Sequence, residues 1–308
     1  MTFCKSCDMQ AACHKTTTKI RILQHSTLST MVSFSTKAFK ILAKELLGFD
    51  SNRKFKAHFG VTPEVCAEVW YSIKKPTNAR PKHLLWALLF LKLYETEDVL
   101  IAKLQVKSRE TLRKWVWVMV QAIAGLSKSK IRWANRLKHD RFNKWCRVTI
   151  DGTDFKINEP SPFSPMWYSH KYCGPGIRYE IGVSINGGDI VHINGPFPCG
   201  AWADLTIFRS KLMHMLLPGE MVEADNGYRG EYQKIRTPVD YSNEEERRAK
   251  RRARARHETV NRRFKQFGIL KQVYRHRLCD HGAVFHACAA LTQISINHGN
   301  TLFCVQYH

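Results

Sequence analysis

RVTIDGTDFKI, residues Arg147–Ile157, is rich in Val, Ile, Thr and Phe, the side chains that suit a pleated, half-buried surface, and it follows a long helical stretch. Two more strand-like segments come next, Ile177–Ile185 and Ile190–Ile193, with Asn186-Gly187-Gly188-Asp189 between them as a tight hairpin turn. Leu205, Phe208, Leu212, Met215 and Leu216 then mark an amphipathic helix. Met221–Ala224 reads as a short strand ending at Asp225, and a long basic helix follows. Three strands, a helix, a strand and a helix pack most simply as a mixed α/β sheet flanked by helices, with a right-handed crossover from the third strand.

The basic helix is RRAKRRARARHETVNRRFKQF, Arg247–Phe267. At helical spacing Ala249, Ala253, His257, Val260, Phe264 and Phe267 share one face that can dock on a core. Arg254, Glu258, Asn261, Arg262 and Lys265 share the neighbouring strip, with Arg251 one turn before Arg254. Ser242 and Glu245 have capping-box spacing, and Gly268 is placed to end the helix in a left-handed conformation. The result is a cationic edge carrying one acid, Glu258, suited to gripping a phosphodiester backbone.

Composition points the same way. The chain has 308 residues, 44% of them apolar, enough for a proper core, and a formal net charge of +23 that favours a polyanionic partner such as nucleic acid. A membrane partner is disfavoured: the densest apolar run, Leu84–Leu93, is interrupted by Lys92 and falls short of a span. No secretory signal is evident, and ten cysteines without framework spacing suggest free thiols in a reducing compartment.

Upstream of the sheet, residues 1–35 read as a Ser/Thr-containing flexible leader in which Cys4, Cys7, Cys13 and His14 offer an alternative zinc-site reading. Residues 36–145 read as helical, with Thr62 and Pro63 starting one helix and Pro81 another that is apolar nearly all round. A short helix at Val99–Leu104, a turn at Gln105–Lys107 and a Ser108-capped helix with Leu112, Trp115, Val116, Met119, Val120 and Ile123 inward have helix-turn-helix spacing. That would expose Arg109, Arg113, Lys114 and Trp117 to a DNA groove; a plain helical hairpin fits the same periodicity.

Three acids stand out: Asp151 in the first strand, Asp225 at the end of the fourth, and Glu258 on the basic helix. Each has an ordinary explanation, turn formation for Asp151-Gly152 and Asp225-Asn226-Gly227 and pairing with Arg254 or Arg262 for Glu258. If the two strands are neighbours their carboxylates meet, which is costly unless a pKa rises or cations intervene. Oxygen-only ligands select hard ions such as Mg²⁺ or Mn²⁺, and a pair of them can assist in-line displacement at phosphorus.

At these residues the chain resembles the DDE transposases, and among them the PIF/Harbinger type, from about Phe39 onward. The matching features are Ile150-Asp151-Gly152-Thr153, Trp167-Tyr168-Ser169-His170-Lys171 with Gly174-Pro175-Gly176, Ala224-Asp225-Asn226-Gly227-Tyr228, and Arg256–Asn261 with Arg262–Phe267. Glu258 follows Asp225 at an interval like that of compact members. The resemblance implies a ribonuclease H-like nuclease domain over 146–308, a metal-binding and catalytic triad at Asp151, Asp225 and Glu258, and two Mg²⁺ or Mn²⁺ ions. It also implies cutting of element ends in double-stranded DNA, joining of the freed 3′-hydroxyl to target DNA, a nuclear setting, a Myb-like accessory protein, and a homo-oligomer on DNA. A domesticated, catalytically silent DNA-binding descendant is the alternative, and a structural nucleic-acid-binding protein a further one.

Other residues carry two readings each. His170, Lys171 and Arg178 either touch DNA near the cut or decorate a hairpin. Asp154 falls on the opposite strand face from Asp151 and reads as structural. Asp204 reads as a helix cap, with a supporting part beside the metal as the alternative. Trp202 reads as core packing or as a platform for an unpaired base. The Arg247–Arg256 run fits a DNA-contacting helix or a nuclear import signal.

Overall fold

The structure, a computed structural model, describes residues 36–138, 146–240, 243–303 and 305. The expected leader and its Cys4, Cys7, Cys13 and His14 lie outside the described residues. A helix over 36–47 (α1) comes first, then α2 (Asn52–Phe59), capped by Ser51. Thr62 caps α3 (Pro63–Ser72) by accepting from the Val65 N–H, with Pro63 at the first helical position, where a missing N–H is harmless. In α4 (Pro81–Leu93) every residue from His83 to Leu91 is buried, as its all-round apolarity requires. α5 (Glu97–Leu104) turns through left-handed Gln105 into α6 (Arg109–Gly125), whose Ser108 cap accepts from the Thr111 N–H; α7 (Ser127–Lys130) follows. Trp117, expected to be exposed, is half-buried edge-on against Phe90 and His276.

The sheet contains β1 (Cys146–Lys156), β2 (Tyr168–Ser169), β3 (Gly174–Ser184), β4 (Ile190–Pro198), β5 (Met221–Glu223) and β6 (Ile235–Arg236). β1, β3 and β4 are antiparallel, β5 and β6 run parallel to β1, and β2 pairs with the start of β3. The order β4-β3-β1-β5-β6 is a mixed sheet flanked by helices, compatible with a ribonuclease H-like fold. The helix expected across Leu205–Leu216 is instead α8 (Asp204–Ser210) followed by a 3₁₀ turn at Leu212–Met215, because the chain breaks at Lys211.

Alternation along β1 assigns the two faces. Val148 and Ile150 join Phe208, Leu212, Val222 and Tyr228 beneath α8. The opposite face meets α9 (Glu244–Phe264), α10 (Gly268–Lys271) and α11 (Leu278–Asn297): Thr149 Oγ1 lies 2.6 Å from His257 Nε2, Thr153 donates to Asn261 Oδ1, and Phe155 packs on Phe285. This second core also takes in Phe39, Leu88, Met119 and Ile294, so helices on both sides of residue 145 share it. Among the described residues no helix is long and apolar enough to cross a membrane, and Cys66, Cys146, Cys173, Cys199, Cys279 and Cys288 are free thiols.

α9 follows its expected face: Ala253, His257, Val260, Phe264 and Phe267 are buried. Its ends differ. Asn243 is the N-cap, accepting from the Glu245 N–H, while Ser242 lies outside the described residues. Gly268 is not left-handed; it starts α10 where a Cβ would stand 2.8 Å from the Lys92 carbonyl oxygen, so its role is close approach to α4. Three of the helix's cations are also used internally. Lys250 donates to the Arg236 carbonyl, Arg256 to those of Phe303, Ser184 and Ile185, and Arg263 to those of Asn300 and Thr301. The expectation that the whole run holds phosphates is therefore corrected at these positions.

One polar tie joins the first helices to the last. Glu68 of α3 contacts His298 at the end of α11 and Lys130 at 2.6 Å. Its bond to His298 and the nearby cations pull the Glu68 carboxyl down to about 2, and Glu68 in turn raises the His298 imidazole. The depressed carboxylate contributes stability above its ordinary value of 4.5 and loses it as pH falls toward 2; the raised imidazole contributes below 6.5 and loses it as pH rises through its folded value. Glu68→Gln should therefore cost most between those two values, roughly 1–2 kcal/mol after solvent screening. Thermal melts of both proteins across pH would check it; a pH-independent difference is the contrary result.

Candidate active site

β1 and β5 are neighbours, with Thr149 opposite Glu223. Two residues further along each chain stand Asp151 and Asp225, so parallel pairing brings the two acids to the same end of the sheet. Asp225 leaves its strand through a tight turn in which its Oδ1 accepts from the Gly227 N–H at 2.9 Å. The turn-forming reading of Asp225 is thus correct, and compatible with a place in the site. Glu258 arrives from α9, held over β1 by the His257–Thr149 and Asn261–Thr153 contacts on either side of it.

Asp151, Asp225 and Glu258 border one cavity of about 300 Å³, with Ile150, Arg251, Arg254, Ala255 and His257 completing the lining. Among the described residues Glu258 forms no salt bridge with Arg254 or Arg262. Burial pushes the Asp151 carboxyl up to about 7, Asp225 adds to the rise, and Asp204 and Glu258 add less; Lys171 opposes them. His257 is buried and held neutral, its imidazole lowered to about 4 by desolvation.

An all-oxygen donor set in which one carboxyl resists ionisation beside others suits a hard divalent cation, which would relieve the repulsion. Among the described residues no three His, Cys, Asp or Glu side chains converge closely enough to surround one ion, so the acids border the cavity without meeting at a point. Drawing them together needs side-chain rotation within an open, partly exposed site.

The surrounding cations fall into three groups. Arg251, which also pairs with Glu244 at 2.6 Å, and Arg254 face the cavity. Lys171 acts on Asp151, Lys265 donates to the Tyr172 hydroxyl at 3.2 Å, and Arg262 is exposed on the same helix; His170 is exposed, edge-on to Tyr168. Arg109, Arg113 and Lys114 do not line it: Arg109 pairs with Asp98, and Arg113 makes a two-pronged bond to Glu97. Those two pairs join α5 to α6.

Asp204 and Arg178 are where the sequence reading needs correction. Ala203, not Asp204, is the N-cap of α8, and no side chain caps that helix. Asp204 instead leans over Gly152, where a Cβ would stand 2.4 Å from its Oδ1. Arg178 neither reaches outward nor decorates the hairpin; it forks onto both oxygens of buried Asp154 at 2.7 and 3.1 Å and extends Nη1 to Asp204 Oδ1 at 3.1 Å. Burial raises Asp154, but the Arg178 fork and the Ser169 hydroxyl outweigh it and hold the carboxyl below its usual range. Asp154 is structural, as expected from its strand face, and Trp202 packs on Phe197 at 4.5 Å between ring centres.

In comparison with known proteins, residues 150–293 fit the family model of the DDE superfamily endonucleases. No curated protein and no solved structure matches the chain. Asp151, Asp204, Asp225 and Glu258 all fall inside the matched span, so the entire carboxylate cluster lies in the part of the chain that is similar to a DDE superfamily endonuclease domain.

Proposed function

We propose that this protein is a DNA transposase of the PIF/Harbinger type, which nicks the ends of a mobile element and joins the freed 3′-hydroxyl to target DNA. The observation that carries the reading is the single cavity bordered by Asp151, Asp225, Glu258, Arg251 and Arg254 within a span that fits an endonuclease family. Asp151 and Asp225 would hold a pair of Mg²⁺ or Mn²⁺ ions, with Glu258 completing the second position. Bound there, such ions supply Lewis acidity toward the phosphate.

The chain's own groups do the rest. Arg251 and Arg254 would grip phosphates on either side of the scissile bond, and Lys171 would lie close to the attacked group. Water adds to phosphorus, the bond to the 3′ oxygen breaks, and that oxygen leaves as a hydroxyl while the phosphate stays on the 5′ end. His257, neutral and buried, keeps Glu258 in register rather than moving a proton. The α5–α6 unit would serve as the helix-turn-helix that reads the element ends. Arg109 and Arg113 would first exchange their acidic partners for phosphate, whereas exposed Lys114 needs no such exchange. A nuclear location, a Myb-like accessory protein and assembly of several copies on paired ends belong to the same proposal.

The test is strand cleavage by the full chain on a duplex carrying an element end, with Mg²⁺ and with a chelator. Nicks that leave 3′-hydroxyls only with Mg²⁺ support the reading; duplex binding without any nick favours the silent, domesticated alternative. Affinity should fall steeply with salt, by about 10³-fold between 50 and 200 mM if some six phosphates are contacted. A nearly flat salt dependence, measured by fluorescence anisotropy, would speak against a backbone-gripping surface.

A further inference from the structure

The arm between β1 and β3, residues 158–173, keeps large apolar side chains in solvent. Phe163 is 69% exposed, Met166 43% and Tyr168 40%, and Ser169 alone in the arm is buried. Scattered singly, such residues need no explanation; within six positions of one another they mark a contact surface. The root of the arm is nevertheless tied down. The Met166 carbonyl accepts from the Gly200 and Ala201 N–H groups at 2.8 and 3.0 Å, and the Ser169 hydroxyl donates to Asp154 at 2.7 Å. The Tyr172 hydroxyl donates to the Asp154 carbonyl at 2.7 Å and accepts from Lys265 at 3.2 Å. A fixed root carrying exposed rings presents a surface instead of burying one.

Charge and position select what that surface meets. Glu159 is the only acid from 157 to 173, whereas Lys171 forms no salt bridge among the described residues, and the Lys156 and Lys265 ammonium groups stand 5.2 and 5.8 Å from the centre of the Tyr172 ring. Through Tyr172 the root joins Asp154, which follows Asp151 closely on β1, to Lys265 at the end of the helix that carries Glu258. The Lys171 charge also acts on Asp151, so the arm stands beside the acid cavity. Aromatic side chains interleaved with cations suit a strand whose bases are unpaired: every base offers a face for stacking, and its phosphates follow the positive charge. A second copy of this basic chain would meet like charge there.

We infer that the 158–173 arm is a stacking platform for unpaired bases of the DNA strand beside the cut, with Phe163 and Tyr168 taking bases and Lys171 an adjoining phosphate. This rests on the proposed action on DNA and adds a preference that the acid cavity does not supply, for an end whose bases are open.

The experiment is fluorescence anisotropy of the full chain, in EDTA so that nothing is cut, on two duplexes with single-stranded overhangs of equal length. One overhang carries deoxyadenosines and the other abasic sites, so the phosphates are the same and only the bases differ. Wild type is expected to bind the base-bearing overhang more tightly by roughly fivefold to a hundredfold, the range for one stacked base. Phe163→Ala and Tyr168→Ala should each shrink that preference and leave the abasic affinity unchanged, while Phe163→Trp retains it. Lys171→Gln should weaken both DNAs and lower the salt dependence by about one ion. Should an alanine variant not fold, the wild-type comparison of the two overhangs still decides. Equal wild-type affinity for the two, or equal losses on both in the alanine variants, overturns the inference and leaves the proposed function standing. An altered oligomeric state by light scattering in Phe163→Ala, with the base preference intact, also overturns it and assigns the surface to contact between copies. No binding of either DNA by the wild type removes both the platform and the proposed function.

Discussion

Asp225→Asn is expected to lower Mg²⁺-dependent nicking by on the order of 10²–10³-fold or more, the scale on which loss of one charge-stabilising group acts at a reacting centre. The substitution is close to isosteric, and its amide oxygen can still accept from the Gly227 N–H, so the turn that carries the residue stays formed. What it removes is one charge from a cavity in which Asp151 is already pushed up to about 7 by burial and by Asp225. Metal-free stability should hold or rise, since a like-charge repulsion disappears. Affinity for duplex DNA should also hold or rise, because a negative charge beside a polyanion is gone. Single-turnover nicking and anisotropy on the same preparation measure both. Cleavage at the wild-type rate would remove Asp225 from the chemistry. Parallel loss of binding would recast it as a structural residue.

How far the sequence carries this result depends on the length scale of each signal. Strands β1, β3 and β4 are long enough for their composition to show, and Asp151, Asp225 and Glu258 stand out because each closes or interrupts a regular pattern. Strands β2 and β6 have two residues each, below any periodic signature, and their pairing is decided by neighbours far along the chain. The charge field of α9 is legible, but which cations turn inward is not. Arg256 and Arg263 find carbonyl partners at residues 184, 185, 300, 301 and 303, contacts set by tertiary packing alone. Asp204 illustrates the same limit. Its local sequence, Ala203-Asp204 before a helix, is that of a cap, and only the placement of Gly152 and Arg178 draws the carboxylate off the helix end and onto the sheet. The paired glycines are a sequence signal that could have flagged it: both follow a candidate acid closely, where a side chain would otherwise occupy the space.

Glu220→Ala should be the most damaging stability change, about 3–5 kcal/mol, because it strands a buried charge. Glu220 lies at the foot of β5 and is almost fully buried, as is Arg136 of the 3₁₀ turn Trp133–Leu137. The two make a two-pronged bond at 2.7 and 3.0 Å, Arg136 also covers the Trp133 ring, and the Leu217 N–H donates to Glu220 Oε2 at 2.9 Å. Removing the carboxylate leaves the guanidinium desolvated and unpaired and the Leu217 amide unsatisfied, both near the strand that delivers Asp225. Removing both charges is a different matter, since two apolar groups of similar volume need no desolvated partner. Arg136→Met with Glu220→Leu should therefore be less destabilised than Glu220→Ala alone, even though it deletes more of the native contact. Denaturant unfolding of the wild type, Glu220→Ala, Arg136→Met, Glu220→Leu and the Arg136→Met/Glu220→Leu double at one pH measures this as shifts in midpoint at constant slope. An additive double mutant, as damaged as the two single changes combined, would mean that the pair is already hydrated in the native state and that β5 is anchored instead by its own Val222 and by Ile235 of the adjoining β6.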